Sequence, residues 1–216
     1  MRLGFVVLCL TLASIAGSFS TYFLGHGQVL GLVRAFDLDR EENIPTWYAA
    51  STLLVCSILL ATIAQAKKTQ GAPHALYWSV LALMFLCLSL DEATEIHDNW
   101  SGLLPSEFDL KGFLYFSWVI LGAALALIVF LFYLRFLAAL PPRTRYLFLI
   151  AGIVYVGGAI GMETVGASVF VHSGREHTLL FAMMTTLEEF LEMLGILVFI
   201  YALLSYMRSQ RVQVLF

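Results

Sequence analysis

Charge is what this chain has least of. Only 12% of its 216 residues are Asp, Glu, Lys or Arg, about half the share found in soluble domains, which excludes an ordinary water-soluble fold. Cysteine is scarce too. Cys9, Cys56 and Cys87 each sit in a different apolar run, are odd in number and show no CxxC spacing. Small buried hydrophobes are the expected reading, and a disulfide framework is not expected. No nucleophile elbow, phosphate loop, zincin motif or dinucleotide fingerprint is present, which removes the enzyme classes that those motifs serve. Polar stretches are too short to form a second, soluble domain.

What is there instead is apolar sequence in long, continuous runs: 60% of residues are hydrophobic and the mean hydropathy is +0.86. A bilayer core about 30 Å thick needs about 20 apolar residues per helix. Backbone groups in lipid must be satisfied internally, so a spanning chain is helical or a closed barrel. The runs are continuous rather than alternating, which selects helices. Six of them stand out, at about 3–25, 46–66, 76–98, 112–136, 146–171 and 179–207. The expected fold is therefore all-α, a single polytopic integral membrane domain over residues 1–216 built as a six-helix bundle. The first run follows Arg2 and contains small residues, as a signal peptide does. Its continuation through Phe19, Tyr22, Phe23 and Leu24 suits a retained span better.

Basic residues set the expected orientation. With the N-terminus inside, Arg2, Lys67, Lys68, Arg135, Arg143, Arg145, Arg208 and Arg211 fall on the cytoplasmic side. Arg34, Arg40, Lys111 and Arg175 fall outside. Both termini are then cytoplasmic, and all 15 acidic residues lie in the outer loops or the outer halves of the spans. A bacterial inner (plasma) membrane location follows, with the acidic face non-cytoplasmic. So acidic an outer face excludes nucleic acid as a partner. The lipid bilayer is the first partner, with other membrane subunits or a second copy of the chain as further ones.

Exclusion of basic residues from the outer loops accounts for Asp37, Asp39, Glu41 and Glu42. It does not account for carboxylates within spans, each of which costs roughly 2.5–3.5 kcal/mol at mid-membrane on insertion scales. Those are Asp91, Glu92, Glu95 and Asp98 late in span three, Glu163 late in span five, and Glu188, Glu189 and Glu192 early in span six. Neither lysine nor arginine occurs within these three spans. The carboxyls must then be protonated, share a water-filled cavity, bind a cation, or meet loop bases such as Arg34, Arg40 or Arg175. At about 100° per residue, Asp91, Glu95 and Asp98 share a face, as do Glu188 and Glu192. Residues 89–96 and 186–193 both read [Ser/Thr]-Leu-[Asp/Glu]-Glu-x-x-Glu-[Ile/Met], either a diverged three-span repeat or convergence on one site.

Facing helices that present Glu-x-x-Glu have the geometry by which bundles hold metals, and hard oxygen ligands suit iron, manganese, zinc or calcium. The expected metal ligands are Asp91, Glu92, Glu95, Glu163, Glu188, Glu189 and Glu192. His97, His172, His177, Asp37, Asp39 and Arg40 are accessory candidates: His172 and His177 to cap the site from above, and the loop around Asp37 as a lid or a plain solvated turn. Gly157 and Gly161 form a small-xxx-small step of the kind that permits close helix approach. The two stretches Glu92-Ala93-Thr94-Glu95 and Glu189-Phe190-Leu191-Glu192 resemble the Arg-Glu-Gly-Leu-Glu motif of the ferric iron permease family. The resemblance covers eight residues and lacks the arginine and the glycine, so it implies a shared glutamate spacing and no membership. A metal-dependent membrane enzyme or metal-handling protein, an accessory or scaffold subunit of a larger membrane complex, and a proton- or cation-coupled transporter all fit these features. A carrier needs its site open to both sides, and no inner-half acid or base marks such a route.

Overall fold

The computed structural model describes residues 2–40, 42–96, 112, 115–116 and 118–210. Among the described residues the secondary structure is entirely helical, with six helices long and apolar enough to cross a membrane. They are α1 (Arg2–Leu24), α3 (Ile44–Thr69), α4 (Ala75–Thr94), α5 (Trp118–Ala139), the continuous α6 and α7 (Pro142–Val156 and Glu163–His172), and α8 (Leu179–Ser209). A short α2 (Leu32–Phe36) lies between α1 and α3.

Local signals place the helix starts. Asn43 caps α3 by accepting from the Thr46 amide at 3.1 Å, with Pro45 in the first turn. Thr178 caps α8 by accepting from the Phe181 amide at 3.3 Å, and α6 opens on Pro142. Each device either satisfies an amide left over at a helix start or sits where none is needed.

Side chains and backbone tie the helices into an antiparallel bundle. The Ser57 hydroxyl donates to the Ala82 carbonyl at 2.7 Å and Ser89 to Ala50 at 2.8 Å, both buried, which fixes the register of α3 against α4. Tyr133 of α5 donates to the Tyr77 carbonyl of α4 at 3.0 Å. Around these contacts lies a core rich in rings. Trp78 packs edge-on to Phe136 at 5.0 Å and beside Tyr206 at 4.9 Å, and Phe85 stacks on Phe199 at 4.7 Å. At the far end of α8, Lys67 donates to the Gln210 side chain at 3.2 Å. Lys67, Lys68 and Arg208 thus share one end of the bundle, called here the basic end.

The first helix does not run the whole height of the others. Gly4 packs on Leu197, Val7 joins Met193 and Ala49 in one small core, and the Tyr22 hydroxyl donates to the His177 carbonyl at 2.9 Å. Helix α1 therefore lies beside the first half of α8, while α3 reaches Gln210. At 1.5 Å per residue the start of α1 falls roughly 20 Å short of the basic end. The opposite end, where α1, α7 and the start of α8 meet the loop after α2, is the acidic end.

Candidate functional site

The intramembrane carboxylates converge in the acidic half, brought together by three helices. Glu92 comes from the last turn of α4, Glu163 from the first turn of α7, and Glu188, Glu189 and Glu192 from α8. The Glu163 and Glu188 carboxyls are hydrogen-bonded to each other, with Glu192 and Glu189 close enough to act on Glu188. Glu189 in turn lies within electrostatic range of Glu192, Glu92 and Glu163. Among the described residues Glu188 is the one buried acidic or basic side chain, at 7% exposure. The Trp118 indole of α5 donates to Glu163 at 3.1 Å, and the Tyr155 hydroxyl of α6 is hydrogen-bonded to Glu192.

A π turn at Gly157–Met162 places two of these groups. In an ideal α-helix Tyr155 and Glu163 would point about 80° apart. One residue inserted by a π turn takes up about 100°, which brings them to within about 20° of a common face. The same turn lets the backbones close up. A Cβ on Gly158 would meet the Glu188 carbonyl oxygen at 2.9 Å and Glu192 Cγ at 3.0 Å, and one on Gly195 would meet the Tyr155 amide nitrogen at 2.8 Å. Close approach is thus real, but through a different pair of glycines from the expected step. Gly157 and Gly161 have open space where a Cβ would sit, whereas Gly158 between them faces α8.

Above the cluster, the two ends of the chain's acidic surface meet. Asp39, in the loop before α3, has its carboxylate 3.3 Å from His177 Nδ1 and within hydrogen-bond reach of the Thr185 hydroxyl of α8. Burial raises the Asp39 pKa above its usual range, and Asp37 adds to that, while His177 opposes it. Glu189 senses Asp39 from below. Arg40 does not fold down onto the glutamates: it pairs with Asp37 at 3.3 Å and is 60% exposed. Arg34 is exposed on α2, and Arg175 lies over the Tyr115 ring. His172 turns back on its own helix, with Nδ1 2.7 Å from the Ser168 carbonyl oxygen.

At the end of α4 the geometry departs from the helical spacing. The helix stops at Thr94, and Glu95 takes a left-handed backbone (φ 54°) with its amide bonded to the Asp91 carbonyl. The periodicity that set Asp91, Glu95 and Asp98 on one face ends there. Asp91 and Glu95 are half-buried; His97 and Asp98 lie outside the described residues, as does Glu41. The two matching octets also occupy unlike places, one closing α4 and the other within the first half of α8, so they are not equivalent positions of a repeated unit. Among the described residues no group of three or more His, Cys, Asp and Glu is set out as a ready metal site. Three of the carboxyls are instead turned to Trp118, to Tyr155 and to each other.

Tyr155, Trp118, Thr185 and Tyr22 all touch this region without having stood out in the sequence. Aromatic and hydroxyl residues are common throughout the spans, and nothing in Gly157-Gly158 announces a π turn.

Among the described residues the fold defines a polytopic helical membrane protein with six helices long and apolar enough to span. More particularly, the chain belongs to a family described as a domain of unknown function (DUF8692), whose family model matches residues 3–207. Neither a curated protein nor a solved structure matches it.

Proposed function

We propose that the cluster of Glu92, Glu163, Glu188, Glu189 and Glu192 is an exchangeable cation site, opening on the non-cytoplasmic side and serving metal-dependent chemistry or metal handling in the membrane. The observation that carries this reading is the hydrogen bond between Glu163 and Glu188. Two carboxyl groups in contact hold either a proton or a metal cation between them, since two bare negative charges at that distance repel. Three further glutamates within range enlarge the charge available to a cation, and all of the donors are hard oxygens suited to iron, manganese, zinc or calcium. Loading a metal requires the carboxyls to turn from one another, and from Tyr155, onto a shared ion. It therefore releases protons. The basic end formed by Lys67, Lys68 and Arg208 supports the orientation, because such residues favour the cytoplasmic side. Asp39 and His177 would then lie on the entry side of the site.

Elemental analysis tests it on protein purified without chelator, beside the Glu163→Gln/Glu192→Gln double variant. One or two equivalents of iron, manganese, zinc or calcium in the native chain, lost in the variant while the bundle stays folded, is the expected result. Equal metal content in both, including none in either, rejects the cation site. The glutamates would then be carriers of protons alone, as intramembrane acids are in proton-coupled proteins.

A further inference from the structure

The chemistry above belongs to the acidic half, but a surface niche lies near the basic end. Between α3 and α4 the surface holds a niche of about 210 Å³, lined by Ala61, Ala64, Gln65, Lys68, Ser79 and Ala82. Its lining is ordered along the bilayer normal. Lys68 is in the last turn of α3, where that helix leaves the membrane. Gln65 lies about one turn deeper, and Ala61 about 10 Å below Lys68. The Ser57–Ala82 hydrogen bond fixes the register of the facing helix and sets Ala82 at the deep end, with Ser79 between it and the mouth.

From the membrane surface inward the niche therefore presents an ammonium, then an amide, then methyl groups, the Ser79 hydroxyl being turned to the Ala75 carbonyl of its own helix at 3.2 Å. A phospholipid presents its complement in the same order: phosphate, ester carbonyls, acyl chain. Lys67, the neighbouring cation, is turned away, with its ammonium 5.6 Å from the Tyr206 ring and bonded to Gln210. Lys68 and Gln65 are both exposed.

We infer that this niche is a binding site for one anionic phospholipid, its phosphate on Lys68, its ester region against the Gln65 amide, and one acyl chain laid over Ala61, Ala64 and Ala82. Basic pockets between spanning helices are suited to such headgroups, and each lysine near the surface adds a modest electrostatic gain. Alanines at the deep end leave the chain a channel that larger side chains would fill. The inference does not depend on the carboxyl cluster or on any metal.

Native mass spectrometry of the full chain, titrated in detergent with phosphatidylglycerol or phosphatidylcholine, tests it. Native protein is expected to retain one phosphatidylglycerol in preference to phosphatidylcholine. Lys68→Ala should weaken phosphatidylglycerol binding by about fivefold and remove the preference, whereas Lys67→Ala should change it by less than about twofold. Ala61→Leu, at an exposed position in the deep part of the niche, should weaken both lipids by filling the space for the acyl chain. Equal retention of the two lipids by native protein, or equal losses in Lys67→Ala and Lys68→Ala, overturns the site. So does an Ala61→Leu variant that keeps its lipid but shifts a monomer–dimer distribution, which would make a second copy the occupant.

Discussion

The two halves of the bundle solve the same packing problem with opposite materials. Near the basic end, α4, α5, α6 and α8 meet through rings: Trp78, Phe136, Phe148 and Tyr206 interlock at centroid distances of 4.9–6.0 Å. Near the acidic end, the approach of α6 and α7 to α8 is made by Gly158 and Gly195, and the space beside them is filled by carboxyls. Lipid is as apolar as a leucine side chain, so burial from water drives neither half together. Shape and internal hydrogen bonds must do so. Large rings give a dry, rigid contact that needs no polar partner. Glycines bring backbones together and leave side-chain volume for polar groups, which suits a site whose occupants exchange. The aromatic half reads as the frame, and the glycine half is where the proposed site would lie.

That contrast fails first if the frame can be emptied without harm. Trp78 is 2% exposed and touches rings from α5, α6 and α8, so Trp78→Ala opens a cavity at the junction of four helices. We expect a loss of about 3 kcal/mol, the low end of the range for such truncations, because lipid also solvates the exposed ring in the unfolded state. A fall in thermal unfolding temperature in detergent measures it. An unchanged transition would mean that the aromatic half is not the frame.

The glycine half is tested by adding a methyl group where it meets backbone and where it does not. A Cβ on Gly195 lies 2.8 Å from the Tyr155 nitrogen and 3.0 Å from the Ala151 carbonyl oxygen, neither of which can rotate aside. Gly195→Ala should cost about 1–3 kcal/mol by overpacking and, by prising α6 from α8, weaken the contact between Tyr155 and Glu192. Gly161→Ala, into open space, should stay within about 0.5 kcal/mol. The comparison is a pair of unfolding curves. Equal effects at the two glycines would return the close contact to the Gly157–Gly161 step that the sequence suggested.

How much of this was legible beforehand differs between the halves for a physical reason. Apolar run length fixes spanning helices directly, because hydrocarbon thickness sets the requirement, and the described residues hold six helices long and apolar enough to span. Acids within the apolar runs were visible as costly residues, and of these Glu163 and Glu188 are in contact, with Glu189 and Glu192 acting on Glu188. Hidden were the devices that depend on backbone departures from the ideal helix. The π turn that aligns Tyr155 with Glu163 and the left-handed Glu95 that ends α4 both break a spacing of 100° per residue. The short reach of α1 was hidden as well. Twenty-three residues from Arg2 to Leu24 suffice to cross, and composition says nothing of how a helix is shifted along its neighbours.

The gentlest test of the contrast lies at the cover of the acidic half. Asp39 sits under His177 and against Thr185, with its side chain 21% exposed. Burial raises its pKa in the folded state, so folding favours the protonated carboxyl. The sign follows from linkage. Stability from this group is fully present below the pKa of the unfolded carboxyl and is lost as pH rises through the higher folded value. Asp39→Asn keeps the shape, removes the titration, and should leave a stability curve that falls less between acid and neutral pH than that of the native chain. The effect is expected to be small, because the His177 ring is 62% exposed and such contacts are screened. Unfolding midpoints measured across pH 4–7 in both proteins decide it. Parallel curves would place Asp39 in a solvated turn, with no part in covering the glutamates, and would leave Thr185 and His177 as surface contacts of the loop alone.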